Sequence, residues 1–222
     1  MKLPIGLLGG TFDPIHYGHL RFAEDARAAI GLREVLLVPA GDPPHRARPR
    51  TLAADRLAMV RLAASDFAGL RADDRELRRA GPSYTVLTLE ELRAESGDTP
   101  ICLLLGMDAL AELQTWHRWQ DLFGLAHLVA AARPGRAAGG TLPPALAQAW
   151  HARLATAAVE LAVAPSGRTF YLPIRPHVIS ATDLRARLAR GERPADLLPP
   201  SVLAYIESHQ LYRNDPALTD AH

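Results

Sequence analysis

Short apolar runs alternate with amphipathic runs along most of this chain. The apolar runs have strand length and cover residues 3–8, 34–39, 70–73, 101–105 and 126–132. Between them apolar residues recur three or four positions apart, as Leu20, Ala23 and Ala26 do, which is helical spacing. Strands that alternate with helices are typical of a parallel sheet covered on both faces. We therefore predict an α/β fold, a doubly wound Rossmann-like parallel sheet.

The last third of the chain continues this pattern less regularly. It predicts a helix over 146–157, a strand near 159–163, and a further strand that ends at Ile179. Ser180 can cap a helix that terminates at Gly191, and a final helix is expected over 199–206. We predict one domain over residues 1–213, with a small C-terminal helical portion from about residue 180 and a tail at 214–222.

A glycine-rich stretch separates the first predicted strand from the first helix. The apolar run breaks at Gly9 and Gly10, which leave room for a phosphate beside the backbone. The helix that follows offers unpaired N–H groups and a positive dipole end. His16 and His19 are one turn apart and share a face if this segment is helical. These features predict an anion site flanked by two imidazoles.

The same two histidines allow other interpretations. His-x-x-His spacing can ligate zinc, but the single Cys102 lies in an apolar run and the remaining histidines are scattered, so further ligands are lacking and we expect no metal site. The glycines and histidines could also be ordinary turn and surface residues. The combination of features weighs against that alternative.

Composition and charge exclude several classes of protein. The formal net charge is +1 without a basic block, so nucleic-acid binding is not expected. No apolar run reaches membrane-spanning length, and no signal peptide is recognisable. A lone cysteine fits a reducing cytoplasm. Lys2 is the only lysine, so neither a P-loop nor a kinase lysine can form, and a phosphate clamp must use Arg, His and backbone N–H groups.

Other candidates follow the predicted strands, where open α/β sheets bind ligands. After the second strand come His45 and Arg46, which could contact phosphate or only solvent, and then Thr51, a possible helix cap. Asp108 follows the 101–105 strand and could bind a ribose or act only as an N-cap. Arg133 follows the next strand and would face the same edge.

Several further residues have a structural explanation as well as a functional one. Ser83 or Thr85 can cap the next helix, and Tyr84 can pack against it. Trp116 and Trp119 are one turn apart, which more often indicates core packing. Capping explains Ser180 and Asp183 but leaves Thr182 and Arg185, which share a face near a helix N-terminus and could hold a polyphosphate.

Residues 9–20, GGTFDPIHYGHL, resemble the signature of the nucleotidyltransferase superfamily whose hallmark is His-x-Gly-His. Further stretches are similar, in the same order, to those of bacterial nicotinate-mononucleotide adenylyltransferases. These are Pro-Pro-His-Arg at 43–46, the stretch 79–85, Gly-x-Asp at 106–108, Thr-Trp at 115–116, Arg-Pro-Gly at 133–135 and Ile-Ser-x-Thr-x-x-Arg at 179–185. The resemblance covers nearly the whole chain.

The resemblance implies the transfer of an adenylyl group from ATP to nicotinate mononucleotide, with Mg²⁺, to give deamido-NAD and pyrophosphate. It implies catalytic roles for His16, His19 and Arg185. The implied ATP site adds Gly9, Gly10, Thr11, Phe12, Gly106, Asp108, Arg133, Ile179, Ser180 and Thr182. The implied mononucleotide site comprises His45, Arg46, Tyr84, Thr85, Trp116 and His117. His117 stands where an aromatic such as Tyr is common, and we expect Trp119 to be core.

Three alternatives stay open on the sequence alone. A phosphopantetheine or cytidylyl transferase would share His-x-Gly-His, but it is not expected to have the Ser-Tyr-Thr stretch at 83–85 or Thr-Trp at 115–116. A sensor would bind the nucleotide without turnover. A purely structural α/β protein would bind no ATP.

Overall fold

The computed structural model describes residues 2–41, 49–132, 142–174 and 179–213. Its centre is a six-stranded sheet in which each neighbouring pair of strands is parallel. In chain order the strands are β1 (Ile5–Gly10), β2 (Glu34–Pro39), β3 (Leu70–Ala72), β4 (Ile101–Leu105), β5 (His127–Ala132) and β6 (Thr169–Pro173). Their order across the sheet is β3-β2-β1-β4-β5-β6.

Helices cover both faces of this sheet. They are α1 (Tyr17–Ile30), α2 (Ala53–Ser65), α3 (Arg75–Arg78), α4 (Thr85–Ser96), α5 (Met107–Ala111), α6 (Leu122–Leu125), α7 (Pro144–His151), α8 (Ala181–Ala189) and α9 (Pro200–Ser208). Short 3₁₀ turns lie at Leu113–Thr115, Trp119–Asp121 and Ala158–Ala162. None of the helices within the described ranges is long and apolar enough to cross a membrane.

The alternation of side chains along β4 divides the core into two layers. Cys102 and Leu104 point to one face and pack in a cluster with residues of α1, α2, α8 and α9. Ile101, Leu103 and Leu105 point to the other face and pack with residues of α4 and α7. Every residue of β4 is buried, because helices cover both faces. The predicted doubly wound, Rossmann-like fold with a C-terminal helical portion is thus confirmed.

The strand order reverses between β1 and β4, the two central strands. The chain winds outwards from β1 through β2 to β3, and then returns to pair β4 against the free edge of β1, with Ile5 opposite Ile101. A crevice opens at the carboxyl ends of two strands whose connections leave in opposite directions. This topology therefore places the ligand site beside Gly10 and Leu105.

Strand predictions succeed in the centre of the sheet and fail at its β6 edge. The bounds of β2 and β4 are those predicted, whereas Gly9 and Gly10 belong to β1 and do not form a loop after it. The strand expected near 159–163 is wrong: the segment is a 3₁₀ turn fixed by the Glu160 carboxylate, which accepts hydrogen bonds from Thr156 and Ala157. Ile179 itself is not in a strand, and residues 175–178, where the strand expected to end there would lie, are outside the described part of the chain.

Helix predictions in the last third of the chain are mostly confirmed. The helix expected over 146–157 is shorter and ends at His151. The Ser180 cap is confirmed, because its hydroxyl oxygen accepts a hydrogen bond from the Asp183 N–H at 3.2 Å. The final helix α9 packs Val202, Leu203 and Ile206 into the same layer as α1 and α2. The C-terminal portion thereby covers the same face of the sheet as α1.

Candidate active site

A cavity of about 810 Å³ opens at the carboxyl ends of β1 and β4. Its walls are the end of β1, the start of α1, the start of α4, the segment from β4 through α5 to residue 117, and the start of α8. The helix N-termini that border it offer unpaired N–H groups towards a ligand. Residues of the implied ATP site and residues of the implied mononucleotide site line the same cavity.

The glycines of β1 make room at the floor of this cavity. A Cβ at Gly9 would meet no atom within 4 Å, so the open space is available to a ligand. A Cβ at Gly10 would lie 2.9 Å from the ring of Phe12. Phe12 is itself buried in a left-handed conformation (φ 50°), and Thr11 also lines the cavity. Phe12 therefore supports the site by packing, and its ring meets His19 edge to face at 5.0 Å.

The two histidines of the His-x-Gly-His stretch lie against each other. Their rings stack with centroids 3.7 Å apart and planes at 19°. His16 is the N-cap of α1 with extended backbone angles, so it is not helical, although its ring still meets that of His19. His19 lines the cavity, and His16 stacks on it with only 4% of its surface exposed. Burial lowers the pKa of His16 from 6.5 to about 4, and an interaction with its own backbone opposes this shift.

Thr182 and Arg185 lie on one face of α8 at the cavity wall, as their spacing predicts. One Arg185 Nη atom donates to the Thr182 hydroxyl at 3.2 Å, and the other donates to the backbone carbonyl of Asp13 at 2.8 Å. These two hydrogen bonds hold the guanidinium between the loop that joins β1 to α1 and the start of α8. Ile179, just before the helix, packs against the apolar layer beneath.

A second part of the cavity wall is aromatic. Tyr84 and His117 stack with centroids 4.3 Å apart, and Trp116 lies beside them, partly packed on the apolar layer. Thr85 begins α4 and also lines the cavity. Neither Thr85 nor Ser83 caps that helix, because Tyr84 occupies the N-cap position and the Ser83 hydroxyl accepts a hydrogen bond from the Gly41 N–H.

The segment after β4 forms a third wall. Gly106 is the N-cap of α5, so Asp108 is not an N-cap; it lies in the first turn, exposed towards the cavity. Trp119 is half-buried against the edge of the apolar layer, with its ring 6.1 Å from that of Phe123, which agrees with a packing role. The predicted residues His45, Arg46 and Arg133 lie outside the described part of the chain.

Two buried polar residues near the cavity are absent from the sequence predictions. The Asp13 carboxylate accepts hydrogen bonds from the Thr51 hydroxyl and the Arg50 N–H, so Thr51 contacts the first loop and does not cap α2. Arg56 in α2 is 1% exposed and donates to the backbone carbonyls of Thr11 and Ala40 at 2.9 and 2.6 Å. Arg56 shares a helix face with the buried Met59, Val60 and Ala63. A charged residue on an apolar face is the signal that could have identified it.

The described donor atoms around the cavity suit phosphate oxygens better than a metal ion. Among the described residues there is no group of three or more His, Cys, Asp or Glu side chains placed to hold a metal ion. The cavity wall instead offers hydroxyl, imidazole and guanidinium donors, which suit phosphate oxygens.

Comparisons with known proteins agree with this architecture. A family model described as cytidylyltransferase-like matches residues 7–187. A protein of Laribacter hongkongensis named probable nicotinate-nucleotide adenylyltransferase is 51% identical over 215 residues, 96% of each chain. A protein of Aeromonas salmonicida with the same name is 49% identical over 97% of this chain and all of its own.

Solved structures share the fold at low sequence identity. The Plasmodium falciparum nicotinic acid mononucleotide adenylyltransferase complexed with NaAD superposes with a TM-score of 0.70 and 16% identity, over 95% of this chain and 97% of its own. The same enzyme complexed with APC gives a TM-score of 0.69 over 96% and 98% of the two chains. The family model and the relatives that are 51% and 49% identical show that this chain belongs to the cytidylyltransferase-like family and, within it, to the nicotinate-nucleotide adenylyltransferases, which are nucleotidyltransferase enzymes.

Proposed function

We propose that this enzyme transfers the adenylyl group of ATP to the phosphate of nicotinate mononucleotide, producing deamido-NAD and pyrophosphate. The observation that carries the proposal is a cavity whose lining combines hydroxyl, imidazole and guanidinium donors with a pair of stacked aromatic rings. Both substrates must meet in one place for a direct transfer. The names of the relatives support the same pair of substrates.

The proposed reaction is an in-line attack without a covalent enzyme intermediate. A phosphate monoester oxygen is already a nucleophile, so the enzyme needs no activated Ser or Cys. Positioning and neutralisation of charge supply the catalysis. His19 would donate to oxygens of the ATP α-phosphate. His16, stacked behind it, would fix the orientation of the His19 ring and supply a second donor as the phosphates enter.

The start of α8 would hold the leaving pyrophosphate. Thr182 and Arg185 present a hydroxyl and a guanidinium, and the first turn after Ser180 adds N–H groups and the positive end of the helix dipole. ATP would approach the protein backbone closely at Gly9, Gly10 and Thr11. Asp108, near Gly106, would accept hydrogen bonds from a ribose.

The aromatic wall would hold the pyridine ring of nicotinate mononucleotide. Tyr84, Trp116 and His117 offer ring faces, and Thr85 at the start of α4 offers a backbone N–H to a carboxylate. The roles of His45, Arg46 and Arg133 towards the substrate phosphates stay predictions from the sequence.

His19, Thr182 and Arg185 would hold the phosphates of ATP, and Mg²⁺ bound with ATP would supply further neutralisation of the phosphate charge. We also assign the reaction to the cytoplasm, which the single free cysteine supports.

Pyrophosphate release from Mg-ATP tests the proposal, measured in parallel with nicotinate mononucleotide, nicotinamide mononucleotide and phosphopantetheine, with the product identified by mass. Turnover with nicotinate mononucleotide and formation of deamido-NAD would establish the reaction. Preference for phosphopantetheine would overturn the acceptor. Binding of ATP without release of pyrophosphate would indicate a sensor instead.

A further inference from the structure

Asp13 is a buried carboxylate where distant parts of the chain meet. Asp13 is only 4% exposed. Its carboxylate accepts hydrogen bonds from the Arg50 N–H at 2.6 Å, the Thr51 hydroxyl at 2.8 Å and the Tyr212 hydroxyl at 2.7 Å. These donors come from the segment before α2 and from the chain after α9. The carboxylate therefore joins both of these segments to the loop between β1 and α1.

A buried carboxylate is stable only if donors or positive charge replace its lost hydration. The hydrogen-bond donors named above supply part of this compensation, and the buried Arg56 guanidinium interacts favourably with the same charge. Burial and the neighbouring Asp13 charge raise the pKa of Tyr212 well above its usual value. The Tyr212 hydroxyl consequently keeps its proton and acts as a donor at physiological pH.

The backbone of Asp13 connects this cluster to the phosphate wall of the cavity. Its carbonyl accepts the 2.8 Å hydrogen bond from Arg185, whose second Nη reaches Thr182. A rotation of the Asp13 peptide would therefore move the acceptor that sets the direction of the guanidinium. Tyr212 lies on one side of Asp13 and Arg185 on the other.

We propose that Tyr212 is a positioning residue for adenylyl transfer: its hydroxyl fixes the Asp13 side chain, and the Asp13 carbonyl then orients Arg185 towards the phosphates. The proposal rests on the proposed function, in which Arg185 contacts the leaving pyrophosphate. A merely structural Tyr212 would hold the end of the chain and affect stability, but it would not affect the rate constant kcat.

The test compares Tyr212→Phe with Tyr205→Phe. The control removes another tyrosine hydroxyl that donates to a carboxylate in the same C-terminal portion, since Tyr205 donates to Asp55 at 2.9 Å, away from Asp13. Displacing a phosphate-binding group by a fraction of an ångström can cost tenfold or more, so we expect Tyr212→Phe to lower kcat about tenfold with little change in KM for nicotinate mononucleotide. Tyr205→Phe should keep kcat within about twofold of the unmodified enzyme.

A double-mutant cycle with Arg185→Lys separates positioning from general damage. If Tyr212 acts through the guanidinium, Tyr212→Phe should cost less than about twofold in kcat when Arg185 is already Lys. An unchanged kcat in Tyr212→Phe, or the same loss in both backgrounds, would overturn the proposal. Thr51→Val removes a different donor from the same carboxylate and should repeat the pattern if Tyr212→Phe fails to fold.

Failure of the proposed function is distinguishable from failure of this inference. If the unmodified protein binds ATP but releases no pyrophosphate, the proposed function fails, and the same cycle is measured on the ATP dissociation constant by calorimetry. Tyr212→Phe should then weaken ATP binding in the Arg185 background only. Equal ATP affinities in all four proteins would overturn the positioning role as well.

Discussion

At the scale of the residue, two imidazoles in contact have different surroundings. His16 is buried behind His19, and the loss of hydration lowers its pKa to about 4, so it is neutral near pH 7 before any phosphate binds. His19 is half-buried and lines the cavity. The neutral His16 ring therefore places no positive charge against the His19 ring.

Removing the ring that lines the cavity should reduce catalysis. We expect His19→Ala to lower kcat by more than about tenfold, a loss of over ~1.4 kcal/mol in transition-state stabilisation, because a donor to the α-phosphate disappears. Steady-state measurement of pyrophosphate release checks this. The matched control is His209→Ala, which removes another stacked ring, on Tyr205 at the surface. Equal activity of the two variants would contradict the assigned role of His19.

The burial of His16 should make stability depend on pH. Its folded pKa, about 4, lies below the 6.5 of the unfolded chain, so unfolding takes up a proton as the pH falls through this range. Stability is therefore fully present above pH 6.5 and declines towards pH 4, by about 2 kcal/mol between roughly pH 7.5 and pH 5 from this group.

Urea unfolding at the two pH values measures this effect, and His16→Asn should reduce the difference by about that amount. Burial also lowers the pKa of His127, so part of the slope remains in the variant. A pH dependence unchanged by His16→Asn would contradict the prediction.

Local spacing predicts some of these contacts and cannot predict others. The proximity of His16 and His19, and of Thr182 and Arg185, follows from three-residue spacing near a helix start. The Asp13–Tyr212 contact joins residues 199 positions apart, and no local pattern encodes it. The roles of the site residues towards substrates stay predictions.

At the scale of the element, α2 holds two strand ends together through one side chain. The buried Arg56 guanidinium donates to the carbonyls of Thr11 and Ala40, which follow β1 and β2. These carbonyls lie just beyond the ends of the two strands, beside the cavity, and Arg56 donates hydrogen bonds to both. The position of α2 is thus coupled to the loop between β1 and α1.

Replacing Arg56 should therefore destabilise the fold. We expect Arg56→Leu to lower the free energy of unfolding by about 3 kcal/mol, since it leaves buried carbonyls without donors and Asp13 without a compensating charge. Arg61→Ala in the same helix removes an exposed ion pair with Asp74 and should cost under ~1 kcal/mol. Chemical denaturation of both variants measures the difference in the free energy of unfolding. Similar losses in the two variants would show that the Arg56 hydrogen bonds to Thr11 and Ala40 do not stabilise the fold as expected.

Central elements are predictable because burial on both faces leaves continuous apolar runs, as in β2 and β4. The edge strand β6 has no such run, since it contains Thr169 and Tyr171 and ends at Pro173. The apolar run nearest to it forms a 3₁₀ turn that Val163 ends, and in this run Val159 and Val163 are exposed while Leu161 is fully buried. Tertiary contacts, which a local window does not contain, decide between these outcomes.

At the scale of the whole molecule, both ends of the described chain converge on one loop. The first strand leads into Asp13, and the last described residues place Tyr212 against it. The alternation of strands and helices predicts the doubly wound sheet, but it does not predict that the C-terminal portion closes back on the N-terminal loop. The prediction of a single domain over residues 1–213 stays a prediction.

The single cysteine, Cys102, lies in β4, the central strand that pairs with β1. Burial raises the pKa of its thiol to about 12. A thiol reagent attacks the thiolate and needs access to it, so the folded protein should react at least about 100-fold more slowly than the protein unfolded in guanidinium chloride.

Labelling then measures how often the sheet opens, and with one cysteine in the chain no background reaction needs subtraction. ATP and nicotinate mononucleotide should slow labelling of Cys102 further, because their binding stabilises the folded state. Rapid labelling of the folded protein would show that β4 is accessible. The natural sequence thus contains its own reporter of ligand-linked stability, without an introduced dye site.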